Sequence, residues 1–352
     1  MRLKTRLRVL IPVLVNIAAA AGIVSLTACA RHTANAQKYN FTAEKWQGET
    51  EDQFSQISCF FSGDSDFYTS RIRSVRGQLM TALANASFNT DEKLFADAYS
   101  SDIGTAQVRC DTSRRCEADV TAAGGDFFFF HSFDLISGAY FNEDDIMHDG
   151  AVIDRELAWE LYGSDDVAGK DIYLNGVKCY ISAVVSKPDD KASKRCAGDS
   201  FRAYVSYDTA MAVHSSNAQE TDNTAASDNS SFPVDSYECV LPEPVNGYGK
   251  KLMKDIFEQS YKDNVRFVYN TERFTPAARK KAFRHISDSV IHDDCIKLPY
   301  WENASRIAEY KLSWMYTLRK WLCMIPTVTV LYLAYKGYRM FRNRKVFIFK
   351  RK

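Results

Sequence analysis

The residues best suited to chemistry form one polar cluster near the C-terminal third of the chain. His285, His292, Asp293, Asp294 and Cys295 lie shortly before Pro299 and could be drawn as a site. The motifs GxSxG, HExxH and SxxK, which mark hydrolases, zinc peptidases and β-lactamases, do not occur. Polar residues at a helix end explain the cluster more simply. We therefore predict no catalytic residue, no cofactor and no enzymatic activity.

A second acidic stretch resembles a cation site only superficially. Asn142 to Asp145 reads NEDD, and His148 and Asp149 follow. A calcium loop needs a glycine at its sharp turn and a closing glutamate, and neither is present at the required position. The stretch is therefore interpreted as a solvated turn, without metal. His131 follows four phenylalanines, 127–130, which predict a core strand, and it is interpreted as a structural residue.

Seven cysteines lie between residues 30 and 312, and their spacing contains no CxxC pair. Zinc binding is therefore not predicted. Cys110 and Cys116 bracket a short polar loop, which makes them the best candidates for a disulfide if this region lies outside the cytoplasm. The alternative is that most of the cysteines are reduced and buried as small apolar residues.

Charge is distributed unevenly along the chain. Residues 1–8 carry four basic residues, residues 336–352 carry eight, and neither end has an acid. The stretch between them has 33 basic residues against 44 acidic ones, a net charge of −11. A negative outer region opposes binding to nucleic acid, because basic surface is what attracts phosphate.

Each basic end borders an apolar segment. Val9 to Ala28 is a run of 20 residues without a charge, long enough to cross a bilayer. Trp321 to Tyr335 is a shorter run of 15, with Arg319 and Lys320 near one interface and aromatic residues around its ends. We predict two transmembrane helices, at 9–29 and 313–335.

The positive-inside bias places residues 1–8 and the tail 336–352 in the cytoplasm, and residues 30–312 outside the plasma membrane. Both ends predict the same side, as two helices require. One alternative remains for the N-terminus. Leu26 to Cys29 resembles a lipobox, so Cys29 could be lipidated after signal cleavage, although the apolar run is long for a signal peptide.

The clearest local pattern in the outer region is a strand, a helix and a hairpin. Ala151 to Ile153 is typical of a buried strand, Asp154 suits a helix N-cap, and Gly163 a helix stop. Asn175-Gly176 then predicts a tight turn between two strands, because both residues tolerate positive φ. Elsewhere we expect helices within 51–86, 252–261, 276–290 and 303–318, a strand at 265–269 and a flexible insertion at 214–231.

The strand, helix and hairpin, with the residues just before them, are similar to the core extracytoplasmic domain of MacB-type ABC transporter permeases. The similarity covers GAYFNEDD at 138–145 and 35 residues from Ala151 to Val185. The positions that match the family's motif or form its turn are Gly138, Phe141, Leu157, Ala158, Leu161, Tyr162, Gly163, Gly169, Lys170, Ile172, Asn175, Gly176, Val184 and Val185. Three later stretches, at 237–249, 268–274 and 298–306, look like a Firmicute-type branch of such permeases.

The resemblance implies an α+β fold, with a mixed α/β outer domain of two subdomains between two transmembrane helices. It also implies an ABC ATPase as partner. MacB-type permeases have four transmembrane helices, three of them after the outer domain, whereas we predict one after the outer domain here. The sequence has no Walker A loop. We therefore expect a separate ATPase or permease subunit, or a homodimer, to complete the assembly.

Two functions follow as hypotheses. The first is a non-catalytic, permease-like component of an export or mechanotransmission system, which relays motion between a cytoplasmic ATPase and the outer domain. Its basic tail could contact the ATPase or anionic lipid, or could serve only to set topology. The second is a membrane-anchored binding or sensing module that has lost transport. Co-purification of an ATPase distinguishes the two.

Overall fold

The computed structural model describes residues 2–88, 93–111, 114–218, 232–262, 264–283 and 296–349. The chain divides into two units. The sheet unit comprises residues 37–273 and 287–306, and the helical unit comprises 1–36, 274–286 and 307–352. The polar cluster at 285 and 292–295 and most of the expected insertion, 219–231, lie outside the described residues.

Ten strands among the described residues form one sheet. They are β1 Phe54–Phe61, β2 Ala96–Arg109, β3 Arg115–Gly125, β4 Asp134–Gly138, β5 Gly150–Asp154, β6 Asp171–Leu174, β7 Val177–Ser186, β8 Phe201–Val205, β9 Ser236–Pro242 and β10 Val265–Tyr269. Their order is β10-β1-β9-β2-β3-β8-β5-β7-β4, and β6 pairs with β2 and β7. The β3–β8 and β5–β7 pairs are parallel and the others antiparallel.

Helices complete the α+β architecture. They are α1 Arg2–Asn35, α2 Thr42–Gln47, α3 Thr69–Asn85, α4 Phe127–Phe130, α5 Arg155–Tyr162, α6 Lys191–Ala197, α7 Tyr207–Ala218, α8 Tyr248–Tyr261, α9 Pro276–Phe283 and α10 Tyr300–Phe349. A short 3-10 helix, Lys38–Phe41, precedes α2. We expected two subdomains outside the membrane, whereas the described strands of the sheet unit form one sheet.

The sheet has a buried layer on each face, because successive strand residues point to opposite sides. The larger core packs α3, α5, α7 and α8 against the sheet through aliphatic and aromatic residues such as Leu79, Leu157 and Phe257. The smaller core lies on the other face. There Tyr39, Phe127, Phe130 and Trp301 cover alanine and valine side chains of the central strands.

The predicted strand–helix–hairpin unit is confirmed. Strand β5 ends at Asp154, whose carboxylate accepts a hydrogen bond from the Leu157 amide and so caps α5. Gly163 ends the helix in the left-handed conformation. Strands β6 and β7 pair across the turn at 175–176. Local capping and turn chemistry therefore determined this part of the fold.

Two predictions from apolar patterns were wrong. The region 51–86 is helical only over α3, and residues 54–61 form strand β1. Residues 127–130 form one turn of helix, not a strand, and Phe127 and Phe130 are buried in the smaller core. One helical turn lets four consecutive rings spread around the backbone, whereas a strand would send alternate rings to opposite faces.

Later predictions agree better with the structure. The helix over 252–261 and the strand over 265–269 are confirmed as parts of α8 and β10. Of the helix expected at 276–290, residues 276–283 form α9, and residues 284–290 lie outside the described residues. The helix expected at 303–318 lies within the longer α10. Residues 214–218 of the expected insertion belong to α7.

In the helical unit, α1 and α10 contact each other in antiparallel order. Asn16 Nδ2 donates a hydrogen bond to Thr329 Oγ1 at 3.1 Å. A Cβ on Gly22 would lie 3.1 Å from Leu322 Cδ1, so the helices are close there. Among the described residues, one segment, Leu10–Asn35, is long and apolar enough by length and composition to cross a membrane. The second expected span, within α10, stays a prediction.

Candidate functional site

Arg273 and Glu302 form an ion pair in the interior of the sheet unit. Arg273 Nη2 lies 2.7 Å from Glu302 Oε1, and Nη1 lies 2.8 Å from Oε2. The Arg273 side chain is 3% exposed and that of Glu302 is fully buried. Two parallel charge-assisted hydrogen bonds fix both the distance and the plane of the two groups. The pair therefore determines how its two chain segments meet.

Polar side chains around the pair satisfy its remaining hydrogen-bonding capacity. Tyr39 OH donates to Glu302 Oε2 at 2.7 Å. Arg273 Nη1 also donates to Asn40 Oδ1 at 3.0 Å and to Asn270 Oδ1 at 3.1 Å. Asn40 Nδ2 donates to Ser305 Oγ at 2.8 Å. We call this set, Tyr39, Asn40, Asn270, Arg273, Glu302 and Ser305, the Glu302 network.

The Glu302 network joins three segments that are distant in sequence. Tyr39 and Asn40 lie in the short 3-10 helix that follows α1, Asn270 and Arg273 lie after β10, and Glu302 and Ser305 lie in the first two turns of α10. Such a buried network is stable only when nearly every polar atom has a partner. It therefore fixes the start of α10 against the segment that follows α1.

A branch of hydrogen bonds leads from the Glu302 network into the sheet. Asn270 Nδ2 donates to Ser58 Oγ at 2.7 Å, and Ser58 Oγ donates to Glu238 Oε1 at 2.8 Å. Glu238 Oε2 lies 2.6 Å from His131 Nε2. All four residues are buried. Strands β1 and β9 are thus connected by polar side chains to the start of α10.

The turn after β10 is held in place by strand β1. The Asn270 amide donates to the Gln56 carbonyl oxygen at 2.9 Å, and the Gln56 amide donates to Thr271 Oγ1 at 2.9 Å. Glu272 has a φ of +59°, which is uncommon for a residue with a side chain. This turn directs Arg273 back into the interior, because the Arg273 amide bonds the Asn270 carbonyl oxygen at 3.1 Å.

Burial and the neighbouring positive charge shift the pKa of the Glu302 carboxyl in opposite directions. Burial alone would raise the pKa of its carboxyl, but the Arg273 charge and the hydrogen bonds from Arg273 and Tyr39 lower that pKa below its ordinary value. Burial, together with the Glu302 charge, raises the pKa of Tyr39 well above its ordinary value. Glu302 is therefore ionised at neutral pH, and Tyr39 is the neutral donor that it requires.

The charged and polar groups of the Glu302 network bond mainly to one another. Its groups are enclosed, and each charge is already paired within the network. Over the described ranges, no group of three or more His, Cys, Asp and Glu side chains is arranged to hold a metal ion. The arrangement holds its three segments at fixed positions relative to one another.

Comparison with protein families shows which family the chain belongs to. The profile of the MacB-like periplasmic core domain matches residues 13–231, more than half of the chain. The chain belongs to this family. It is a membrane protein with a MacB-like extracytoplasmic domain and an apolar N-terminal helix, related to the permeases of ABC transporters. Comparison with curated protein sequences gives no match.

Three solved structures are similar to the MacB-like domain at low sequence identity. The periplasmic region of MacB from Actinobacillus actinomycetemcomitans is 12% identical with a TM-score of 0.38, over 67% of this chain and 94% of that one. The extracellular domain of the ABC-type transporter YknZ from Gram-positive bacteria is 13% identical with a TM-score of 0.37, over 60% and 99%. A permease-protein domain from Porphyromonas gingivalis is 13% identical with a TM-score of 0.36, over 62% and 89%.

The family-motif residue Gly138 lies where no larger residue fits. It ends strand β4 with a φ of +80°, and a Cβ there would lie 2.1 Å from the Ser182 carbonyl oxygen. The next amide, that of Ala139, donates to the same oxygen at 2.9 Å. Phe141 packs its ring edge-on against Phe128 in the smaller core, with 5.0 Å between the ring centres.

The other MacB-like motif residues serve the strand–helix–hairpin unit. Leu157, Ala158 and Leu161 are buried on the inner face of α5. The Gly169 amide donates to the Ile181 carbonyl oxygen at 2.7 Å, and Lys170 Nζ lies 5.0 Å from the centre of the Tyr162 ring. Asn175 Oδ1 accepts a hydrogen bond from the Gln107 amide at 2.7 Å. Asn175 and its neighbour Gly176 both have positive φ.

The acidic turn at 142–145 has a structural partner. The Asn142 amide donates to Asp145 Oδ2 at 2.8 Å, as expected of a polar turn. Glu143 accepts two hydrogen bonds from Arg76, whose Nε also donates to the buried Asp97 at 2.8 Å. Burial raises the pKa of Glu143, and the hydrogen bonds and charge of Arg76 outweigh it and lower that pKa.

Cys110 and Cys116 lie at the end of the hairpin formed by β2 and β3. Cys116 is directly opposite Val108 in the strand register, and the Cys110 amide donates to the Arg114 carbonyl oxygen. Burial raises the pKa of the Cys116 thiol to about 11. The disulfide between Cys110 and Cys116 stays a prediction.

The sequence analysis did not single out any member of the Glu302 network. A signal was nevertheless present, because two of the stretches similar to related permeases, at 268–274 and 298–306, contain Arg273 and Glu302. Charged residues inside such apolar and aromatic stretches are rarely buried unless they are paired. Each stretch also holds a charge of the opposite sign, Glu272 in the first and Arg306 in the second, so the sequence alone did not show which charges pair.

Proposed function

We propose that this chain is a non-catalytic, permease-like component of a MacB-type ABC system, and that it relays motion between a cytoplasmic ATPase and the outer domain. The observation that carries the proposal is the buried Arg273–Glu302 pair. It holds the first turn of α10 to the body of the sheet unit through two hydrogen bonds at 2.7 and 2.8 Å. A relay requires such a connection, because a loosely attached helix would move without moving the domain.

The length of α10 supports the same proposal. The helix runs from Tyr300 to Phe349 without a break, so the residues that carry Glu302 and those of the expected second span share one set of backbone hydrogen bonds. An α-helix transmits a displacement along its axis well, since each turn is bonded to the next. Pro326 removes one of these bonds and is the position at which α10 could bend.

The contacts between α1 and α10 support a two-helix topology with both termini on one side. Asn16 contacts Thr329, Gly22 contacts Leu322, and Thr27 Oγ1 lies 3.5 Å from Arg319 Nη1. As the α1 residue number rises, that of the α10 partner falls, which is the order of an antiparallel pair. Small and hydroxyl-bearing residues are typical of helix contacts within membranes.

The basic residues at both ends support a cytoplasmic location for the termini. The tail 336–352 carries eight basic residues and no acid, and we propose that it contacts the ATPase or anionic lipid. A homodimer of this chain, or a further permease subunit, would supply the additional helices that a complete transporter of this type contains.

Purification from native membranes tests the proposal. The full chain is extracted in mild detergent, and retained proteins are identified by mass spectrometry. We expect an ABC ATPase among them. We also expect the yield of ATPase to fall when residues 336–352 are deleted, although this variant keeps the Glu302 network and should still fold. A preparation that retains no ATPase under these conditions would favour the membrane-anchored binding or sensing module instead.

A further inference from the structure

A polar cavity lies beside the Glu302 network in the sheet unit. Its volume is about 350 Å³, within the usual range for small-molecule sites. Strands β2, β3 and β8 and the start of β9 form one wall, and residues 297–303 form the other. Trp301 and Asn303 on that second wall flank Glu302 in the sequence. A molecule in the cavity would therefore contact the turn that the Arg273–Glu302 pair holds.

Two donors at the cavity have no acceptor. Arg202 Nε and Trp301 Nε1 are buried, and neither has a hydrogen-bond partner among the described residues. Both residues line the cavity, and Trp301 is 6% exposed. A buried donor without a partner costs about 1–3 kcal/mol, so native proteins nearly always supply one. A bound group with acceptor oxygens would satisfy this requirement.

Arg202 is positioned to receive such a group. Its Nη2 donates to the Ala197 carbonyl oxygen at 2.8 Å, and its guanidinium lies 4.1 Å from the centre of the Tyr300 ring. The nearest carboxylate oxygen to it, Asp119 Oδ2, is 3.9 Å away, which is long for a direct hydrogen bond. A guanidinium held in this way is suited to a carboxylate.

The acidic side chains that line the cavity disfavour a purely anionic ligand. Asp102, Asp119 and Asp235 line the cavity against Arg202 and Lys297, so the lining has one excess negative charge. Asp235 Oδ2 accepts hydrogen bonds from the Asp102 amide at 2.7 Å and Ser101 Oγ at 2.9 Å. These two carboxylates lie together on the β9 and β2 side of the wall, whereas Arg202 lies on β8. An anionic ligand would be repelled by Asp102 and Asp235 unless it also carried a positively charged group facing them.

We propose that this cavity binds a small zwitterion, a free amino acid or a short peptide. Its carboxylate binds Arg202 with Trp301 nearby, and its ammonium group binds Asp102 and Asp235. The proposal goes beyond the relay and does not depend on it, because binding can be measured without an ATPase. If both hold, the ligand stabilises the first turn of α10, and the cavity regulates the relay.

Calorimetric titration of the full chain in detergent tests this site. The probes are L-alanine and L-alanyl-L-alanine, their N-acetylated and carboxamide forms, and inorganic phosphate, each to about 10 mM, which detects dissociation constants in the millimolar range. We expect at least one free zwitterion to bind. Blocking either end should weaken binding at least about tenfold, a difference of roughly 1.4 kcal/mol.

Three variants assign the binding to these residues. Arg202→Gln and Asp102→Asn should each weaken binding of the zwitterion at least about tenfold. Arg73→Gln, at an exposed position of α3, is the matched control and should bind as the natural sequence does. Asp102 is exposed, and asparagine keeps its acceptor for the Gly104 amide, so that variant tests the site even if Arg202→Gln fails to fold.

Several results would overturn the proposal. Absence of binding by both free zwitterions would do so, as would equal binding of the N-acetylated forms. Binding of phosphate with loss in Arg202→Gln would replace the zwitterion site with a simple anion site. Unchanged affinity in both variants would place any observed binding elsewhere on the molecule.

Discussion

Arg273 and Glu302 meet through two hydrogen bonds, although they lie 29 positions apart in the sequence. One lies in the turn after the edge strand β10, and the other lies in the first turn of α10. Tyr39, from the segment that follows α1, donates a third hydrogen bond to the same carboxylate. The start of α10 is thereby part of the sheet unit, which is the property that a relay of motion requires.

Glu302→Gln or Arg273→Gln should lower the free energy of unfolding by about 3–5 kcal/mol, because each leaves one buried charge without its partner. Denaturant unfolding of the purified chain measures the change. Asp134→Asn provides the control, since the Lys38–Asp134 pair is largely exposed and such pairs contribute about 0–1 kcal/mol. Equal losses in the buried and exposed variants would contradict the role assigned to the ion pair.

Stability should also depend on pH through Glu302. The folded pKa of this carboxyl is lower than its ordinary value of 4.5, so the folded state favours the ionised form. That contribution is fully present above the unfolded pKa and is lost as pH falls through the folded pKa. Acid unfolding curves should therefore fall less steeply in Glu302→Gln between pH 4.5 and more acidic values. Parallel curves for the two proteins would be the opposite result.

Gly138→Ala should destabilise the domain more than Gly176→Ala. Both glycines have positive φ, at +80° and +86°, so each variant incurs a backbone cost of about 1–2 kcal/mol. Only at Gly138 would the new Cβ meet backbone, 2.1 Å from the Ser182 carbonyl oxygen, whereas nothing lies within 4 Å of it at Gly176. Thermal unfolding of both variants measures the difference. A smaller loss for Gly138→Ala would show that β4 and β7 separate easily.

The strand–helix–hairpin unit could be predicted because its signals are local. Asp154 caps the helix that begins at the next residue, Gly163 ends it, and Asn175-Gly176 closes the hairpin beside it. Each of these residues acts through its own backbone conformation or that of a close neighbour. Such signals are contained in a few consecutive residues and need no knowledge of the tertiary structure.

Strand β1 and the Glu302 network could not be predicted in the same way. Gln56 and Ser58 interrupt the apolar pattern of β1 with side chains that are polar and fully buried. The partners of the Ser58 side chain, Asn270 and Glu238, are 212 and 180 positions away in the sequence. The Gln56 side chain bonds the Tyr39 carbonyl oxygen and the Thr42 amide, in the segment that follows α1. A buried polar residue looks like a surface residue until its partner is known, so strand β1 was not predicted.

A disulfide between Cys110 and Cys116 should be found in protein purified from the membrane under oxidising conditions. Peptide mapping by mass spectrometry, with alkylation before reduction, would detect the linked peptide. Cys239, which is buried in strand β9, serves as the control and should appear as a reduced thiol after unfolding. Recovery of residues 110 and 116 as separately alkylated peptides would contradict the pairing and favour the reduced, buried alternative.

Both termini should be cytoplasmic. Epitope tags at residue 1 and residue 352 should resist protease in intact cells and become accessible after lysis, whereas a site within the outer domain should be cleaved from outside. Cleavage of the C-terminal tag in intact cells would contradict the second span. Loss of the N-terminal tag with a lipid mass on Cys29 would instead support signal cleavage at the lipobox.

The most direct test of the relay is hydrogen exchange in the complex of this chain with its ATPase in lipid nanodiscs. Amides of residues 37–41 and 300–306 are compared with and without ATP and vanadate. We predict that nucleotide changes their exchange in the natural sequence, and that Glu302→Gln abolishes the change at residues 37–41 while ATP hydrolysis continues. Unchanged exchange throughout the outer domain, in a complex that hydrolyses ATP, would contradict the relay.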